Sequence, residues 1–385
     1  MDFFHTTSAI VVTCLGRLSV YVESEIGSLG YSTASRFTGG VHLSGTLNDA
    51  IRLNLNLRCA SQVLYRIGAF KARDPEELYK GVNAIAWEDI IPLNGYFSVT
   101  SNVDNPHIRT PLFANVKVKD GIVDRMKEKL GERPDSGSEL SGAVIHLRWI
   151  DREAEVFIDT TGLTLSKHNY RKLPGKAPMA EALAAGCVFA TGWNRKTPFI
   201  NPMCGSGTLA IEAALIAQNK LPGLLREDYA FQHLIGYDQE FFFAEKRKLK
   251  AEIKKNDVKI IASDRDPQAV EIAKENARAA GVGSAIEFHV CDFAETPVPG
   301  DEGVVILNPE YGERMGIVDK LKPVYKRIGD FLKKQCSGYK GFIFTGSPEL
   351  AKVIGLKAAK KTEFFSGKLD CRLLEYELYT GKKED

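Results

Sequence analysis

The stretch Asn201-Pro202-Met203-Cys204-Gly205-Ser206-Gly207-Thr208 follows a short apolar run (199–201) and leads into a strongly helical segment, 209–218. A short apolar run bounded by turn residues reads as a strand buried on both faces. Gly205 and Gly207 let the backbone turn tightly and let a ligand approach with no Cβ in the way. Taken alone, such a turn is either a ligand cradle or a plain strand-to-helix connection. It lacks the lysine and the spacing of a phosphate-binding loop, which disfavours nucleoside triphosphate hydrolysis.

Downstream the same rhythm repeats. Apolar runs at 259–263, 285–290, 303–307 and 341–344 are each separated by helix-length segments. Those are parallel strands, so the back half is a doubly wound α/β domain of Rossmann-like type. Runs at 362–365 and 371–379 flank Ser366-Gly367 with no room for a helix and should form an antiparallel edge. The aromatic, basic interruption at 220–255 reads as a helical insertion.

Polar residues stand where these runs end. Asp264 closes the second strand, where an acid accepts from ribose hydroxyls, and Asp266-Pro267 should cap the next helix. Asp292 and Phe293 close the third, placed to accept from an adenine amino group and to pack on its ring. Each also has an ordinary reading, a capping Asp and a core Phe. The fourth run exits through Leu307-Asn308-Pro309-Glu310-Tyr311-Gly312. Asn308 offers a carbonyl acceptor, the Pro309 backbone a second and Tyr311 a flat face, a set that clamps an exocyclic amine and stacks its base. The alternative is a β-turn with Tyr311 as lid to the core. Ligands of open α/β sheets bind at these carboxyl ends.

The front half alternates strands and helices: strands at 8–15, 63–70, 96–103, 144–149 and 155–159, and a hairpin at 37–44. Helices are predicted at 17–29, at 48–60 with Asn48 as cap, at 74–85 opened by Asp74-Pro75, and at 110–130 with Phe113, Val116, Val123 and Met126 on one face. This pattern predicts two small α+β units rather than one doubly wound sheet.

Composition bounds the function. The 385 residues carry 51 Lys+Arg against 49 Asp+Glu, with 44% apolar and 26% charged residues. That suits two or three globular domains and excludes global disorder. No run approaches the ~18 apolar residues of a membrane span. The N-terminal residues lack the basic region of an export signal. The seven cysteines never come closer than seventeen positions, which rejects zinc or redox CxxC motifs. An odd count argues against a disulfide framework and for a reducing, cytoplasmic setting.

The four strand-end motifs together resemble class I S-adenosylmethionine-dependent methyltransferases of the amino-methylating type, whose hallmarks are D-P-F-C-G-S-G-T and N-P-P-Y. Stretches 118–125, 161–171, 177–185, 338–342 and 373–379 extend the likeness to the THUMP-domain RNA methyltransferases. That family includes RlmL-type 23S rRNA guanine-N2 enzymes, and its members have also been labelled N6-adenine DNA methylases. The resemblance implies a ferredoxin-like domain at 1–60, a THUMP RNA-binding domain at 61–165 and a methyltransferase domain at 166–385. It implies that S-adenosylmethionine lies against Asn201, Pro202, Cys204, Gly205, Ser206, Gly207, Thr208, Asp264, Asp292 and Phe293. Asn308, Pro309 and Tyr311 would then handle the amine, with no metal. Two positions depart from the pattern. Asn201 replaces the usual Asp, and Glu310 replaces the second Pro of N-P-P-Y. Glu310 either weakens the clamp, accepts a bond from a guanine edge, or points outward.

The implied partner is RNA, ribosomal first and transfer RNA second. Yet residues 1–165 carry 17 Lys/Arg against 20 Asp/Glu, so the front is mildly acidic. Residues 166–200 hold six basic residues and one acid. Lys167, Arg171, Lys172 and Lys176, with His168, read as free of opposing charge and as candidate phosphate contacts, the alternative being a solvated hinge. Against the leading reading, guanine-N2 methylation of RNA, stand two others: an amino-group methylase of DNA adenine or protein glutamine, and a non-catalytic RNA-binding relative.

Overall fold

The computed structural model describes residues 3–106, 108, 110–173, 178–311 and 317–379. The chain forms two compact units. The first comprises Met1–Cys14, Val22–Leu165 and Arg226–Lys248; the second comprises Leu15–Tyr21, Ser166–Leu225 and Leu249–Asp385.

In chain order the front elements are β1 (Ser8–Cys14), α1 (Ser19–Ser28), β2 (Thr33–Phe37), β3 (Gly40–Gly45), α2 (Leu47–Asn56), β4 (Ala60–Lys71), α3 (Pro75–Asn83), β5 (Tyr96–Asp104), α4 (Pro111–Leu130), β6 (Asp135–Gly137), β7 (Ala143–Ile150) and β8 (Glu153–Asp159). The strands join in one sheet of order β2-β3-β1-β4-β8-β7-β5-β6. The two small α+β units read from the sequence are thus joined edge to edge in a continuous sheet. The twelve-residue β4 pairs with β1 along its first half (Val63 opposite Val12) and with β8 along its second (Phe70 opposite Ala154), so one strand serves both halves.

Two helix readings also shift. The cap of α2 is Thr46, not Asn48: its hydroxyl accepts from the Asp49 N–H while the Asp49 carboxylate accepts from the Thr46 N–H at 2.8 Å. This reciprocal box satisfies two donors at once and starts the helix earlier. On α4 the buried side is Ala114, Val118, Gly121, Ile122, Val123 and Met126, whereas Phe113 and Val116 are exposed. Gly121 sets that face. A Cβ there would stand 3.0 Å from Val82 Cγ1 and 3.2 Å from the Tyr79 carbonyl, so the helix docks on α3 through its smallest residue.

The insertion expected to be helical at 220–255 is so in part, and its stretch Arg226–Lys248 belongs to the first unit. The N–H groups of Ala230, Phe231 and Ile235 donate to the carbonyls of Thr161, Thr160 and Ile90. Arg226 Nη2 adds a bond to Thr161 O at 2.8 Å.

The remaining elements are α5 (Glu181–Ala190), β9 (Phe199–Pro202), α6 (Thr208–Ala217), α7 (Gln239–Ala251), β10 (Ile260–Asp264), α8 (Pro267–Ala279), β11 (Ile286–Val290), β12 (Val304–Leu307), α9 (Ile317–Gln335), β13 (Lys340–Thr345), α10 (Pro348–Val353), β14 (Lys360–Ser366) and β15 (Leu369–Glu377). The second unit's sheet has the order β11-β10-β9-β12-β13-β15-β14, parallel except for β15 against both neighbours. This is the doubly wound sheet with an antiparallel edge. Ile200, Ile261, Val305, Leu307 and Ile343 from the inner strands pack with Ile328, Phe331 and Leu332 of α9. Winding reverses between β9 and β12, where a crevice must open at the carboxyl ends. Among the described residues no helix is long and apolar enough to cross a membrane.

Candidate active site

The glycine loop leaves β9 into that crevice. Met203, Gly205 and Gly207 all have positive φ (56°, 54° and 80°). A Cβ on Gly207 would lie 2.8 Å from Ala273 Cβ, so only glycine lets the loop seat against α8; a Cβ on Gly205 would meet nothing within 4 Å. The loop is tied to β10 by Cys204 N–H donating to Ser263 O and by Gly205 N–H donating to Asp264 Oδ2 at 3.0 Å. Asp264 Oδ1 accepts from Asp266 N at 3.0 Å. Each carboxylate oxygen thus takes one backbone donor and keeps a lone pair for a hydroxyl. Asp266 caps α8, accepting from Gln268 N at 2.9 Å. Burial pushes the Cys204 thiol well up, leaving it a packed, inert group.

At the end of β11, Asp292 accepts from Ala294 N (3.0 Å) and from Arg327 Nη2 (2.8 Å). Both bonds fall on Oδ1. Arg327 also lies over the Phe293 ring, 4.9 Å from its centroid. Phe293 is buried and edge-packed on Phe331, so most of its ring belongs to the core. Arg327 is a neighbour that nothing in the local sequence announces.

Across the crevice the two asparagines are the decisive residues. Asn201, 1% exposed, donates from Nδ2 to the Ile306 carbonyl at 3.0 Å. That bond fixes the orientation of the amide and leaves its Oδ1 buried with no hydrogen-bond partner among the described residues. Asn308 Oδ1, one strand away, is likewise buried without a partner among them. An unmet buried carbonyl costs about 1–3 kcal/mol, so each is a candidate place for a donor that arrives with a ligand. Pro309 is buried, and Tyr311 is half-buried with its ring edge-on to Phe344 and its hydroxyl facing Cys371 Sγ. Glu310 is exposed to solvent.

The basic linker divides. Lys167 and Lys172 are exposed, and Lys176 lies outside the described residues. His168 and Arg171 are not free of opposing charge, as the sequence suggested. His168 Nδ1 sits 2.8 Å from Glu212 Oε1, both side chains fully buried. Arg171 pairs with the buried Glu181, Nε to Oε1 3.2 Å. Such pairing across ten or more positions carries no local signature.

Comparison with known proteins decides the family. Residues 168–375 match the RMKL-like methyltransferase domain, residues 72–159 the THUMP domain and residues 9–64 the RlmL ferredoxin-like domain. The chain belongs to the RMKL-like methyltransferase family. It is 36% identical over 369 residues to the ribosomal RNA large subunit methyltransferase K/L of Syntrophotalea carbinolica, covering 93% of this chain and 52% of that protein. The chain thus spans about half the length of such curated relatives. A Synechocystis protein with a provisional RNA-methyltransferase name is 31% identical, with 98% of each chain covered. Among solved structures, one solved with S-adenosylhomocysteine superposes with a TM-score of 0.87 at 29% identity, covering 98% of this chain and 99% of that one. A Listeria monocytogenes protein, given on prediction as an N6-adenine-specific DNA methylase, has a TM-score of 0.87 at 31% identity over 97% of each.

The cofactor of a class I methyltransferase is S-adenosylmethionine, and the residues of this crevice fit it. The glycine loop leaves open space at Gly205, Asp264 keeps acceptor capacity for ribose hydroxyls, and the Asn201 carbonyl awaits a donor such as a methionyl ammonium.

Proposed function

We propose that the chain transfers a methyl group from S-adenosylmethionine to an exocyclic amino group of a base in RNA, with guanine N2 in ribosomal RNA as the target. The observation that carries this reading is the buried Oδ1 of Asn308 at the end of β12, which has no hydrogen-bond partner among the described residues. An exocyclic amine is a poor nucleophile because its lone pair is delocalised into the ring. Asn308 Oδ1 and the Pro309 carbonyl accept its two hydrogens, favouring a pyramidal nitrogen whose lone pair is free. Tyr311 stacks the base. Bound cofactor supplies the electrophilic sulfonium methyl. The protein's contribution is positioning and exclusion of water. Asp264 receives the ribose, Asp292 and Phe293 the adenine, and Asn201 with Pro202, Cys204, Gly205, Ser206, Gly207 and Thr208 the methionine side.

The RNA partner is supported by the THUMP match and by the names of the ribosomal RNA relatives. In this reading, residues 1–60 and 61–165 form the ferredoxin-like and THUMP domains and residues 166–385 the catalytic domain. Lys167, Lys172 and Lys176 contact phosphates, and the protein works in the cytoplasm. Methyl transfer from labelled cofactor to total RNA, taken from cells lacking this protein, is the test. Label recovered as N2-methylguanosine in large-subunit rRNA supports it. Label in transfer RNA corrects the substrate, and label only in DNA or protein overturns the reading.

A further inference from the structure

Residues 168–173 are fastened to the helices that flank the glycine loop. His168 Nδ1 and the Tyr170 hydroxyl both lie 2.8 Å from Glu212 Oε1 on α6, and all three side chains are buried. The Lys172 and Leu173 N–H groups donate to Asn276 Oδ1 on α8 at 3.0 and 3.3 Å. Asn276 Nδ2 in turn donates to Leu173 O and to Ser206 O in the glycine loop, both at 3.3 Å. Between these anchors stands Arg171. Its Nη2 donates to Met179 O (2.7 Å) and to Thr208 Oγ1 (3.3 Å), while its Nε faces Glu181 without an aligned hydrogen bond.

One guanidinium therefore joins the strap, the residues before α5 and the first residue of α6. A planar fork of five donors can hold three partners in fixed relation; a lysine ammonium cannot reproduce that geometry. Desolvating this pair is costly unless its geometry is put to use. Asp264 occupies the β10 side of the loop, where the ribose is received. The Ser206–Thr208 side, which Arg171 and Asn276 brace, is left for the amino-acid end of the cofactor.

We propose that Arg171 is a positioning residue for the methionine end of S-adenosylmethionine, acting through Thr208 and Glu181, and not a contact for RNA. The proposal rests on the reading of this crevice as the cofactor site. Calorimetry on the full chain tests it with two probes: S-adenosylhomocysteine, and 5′-methylthioadenosine, which lacks the amino-acid end. Arg171→Ala is expected to weaken S-adenosylhomocysteine binding by about tenfold or more while 5′-methylthioadenosine stays within about twofold. Arg171→Lys should not restore the loss. Glu181→Gln, which keeps the side chain's size and lies outside the residues assigned to the cofactor, should show the same selective loss even if Arg171→Ala fails to fold. The Arg171→Ala/Glu181→Gln double variant should be no worse than Arg171→Ala alone, since Glu181 acts through Arg171. Filter binding to ribosomal RNA should be unchanged in Glu181→Gln and Arg171→Lys. Equal weakening of both probes, or weakened RNA binding with S-adenosylhomocysteine unaffected, overturns the proposal. Wild-type protein that binds neither probe overturns the cofactor reading beneath it.

Discussion

Two amide side chains hold most of the chemistry at the residue scale. Asn308→Ala removes the acceptor at the amine while touching nothing that holds the cofactor. We expect methyl transfer to fall by about a hundredfold or more, as for loss of a preorganised polar group at a reacting centre. S-adenosylhomocysteine affinity should stay unchanged by calorimetry. Glu310 invites the opposite expectation. The clamp as proposed uses only Asn308 and the Pro309 carbonyl, so Glu310→Pro should change kcat by less than about threefold, under 1 kcal/mol of barrier. A gain of activity from nothing to full would show instead that the Pro of the usual motif is indispensable. The positions of Asn201 and Asn308 were legible from the strand-end pattern, but the orientation of the Asn201 amide was not. It depends on Ile306 O, a carbonyl 105 residues away.

Glycines and caps decide matters at the scale of elements. Gly207→Ala forces a side chain into left-handed backbone and against Ala273. A destabilisation of about 1–2 kcal/mol from the backbone alone is expected, with more from the collision. Thermal melting should show it, and S-adenosylhomocysteine binding should weaken more than stability does. Strands of the second unit were easy to read because runs such as Val304–Leu307 are apolar throughout and bounded by turns. On helix α4, Val123 and Met126 are buried as the pattern suggests, but Phe113 and Val116 are not, because the docking face includes Ala114 and Gly121, whose small side chains add little to the apolar pattern. Asn48 likewise looked like a cap because its neighbours' reciprocal bonding is invisible until the turn is folded.

On the scale of the whole molecule, stability should respond to pH through two desolvated groups of the first unit, the buried Asp159 and the half-buried His146, with opposite signs. Asp159 accepts from Thr161 N, Gly162 N and Gln62 Nε2, and burial raises its carboxyl to about 7. The folded state therefore holds the proton more tightly than the unfolded chain, and stability falls as pH rises from about 4 to 7. Burial lowers His146 to about 4, so its contribution runs the other way, lost as pH falls from 6.5 to about 4. Asp159→Asn should remove the first slope and expose the second. Denaturant titrations of the variant should then show stability rising across this range, by on the order of 1.4 kcal/mol per pH unit at most. An unchanged profile would show that Asp159 is ionised when folded. Overall charge, near zero by composition, foretold neither effect, because both come from single desolvated groups.

The chain passes between its two units five times, at residues 14/15, 21/22, 165/166, 225/226 and 248/249. During synthesis this imposes an order. The first unit cannot close when residue 165 leaves the ribosome, since Ala230, Phe231 and Ile235 have yet to supply their bonds to Thr161, Thr160 and Ile90. By the time residue 248 emerges, the glycine loop and α6 are already outside, waiting for strands still being made. Nascent chains halted soon after residue 165 should remain protease-sensitive, and those halted past residue 248 should gain a resistant front.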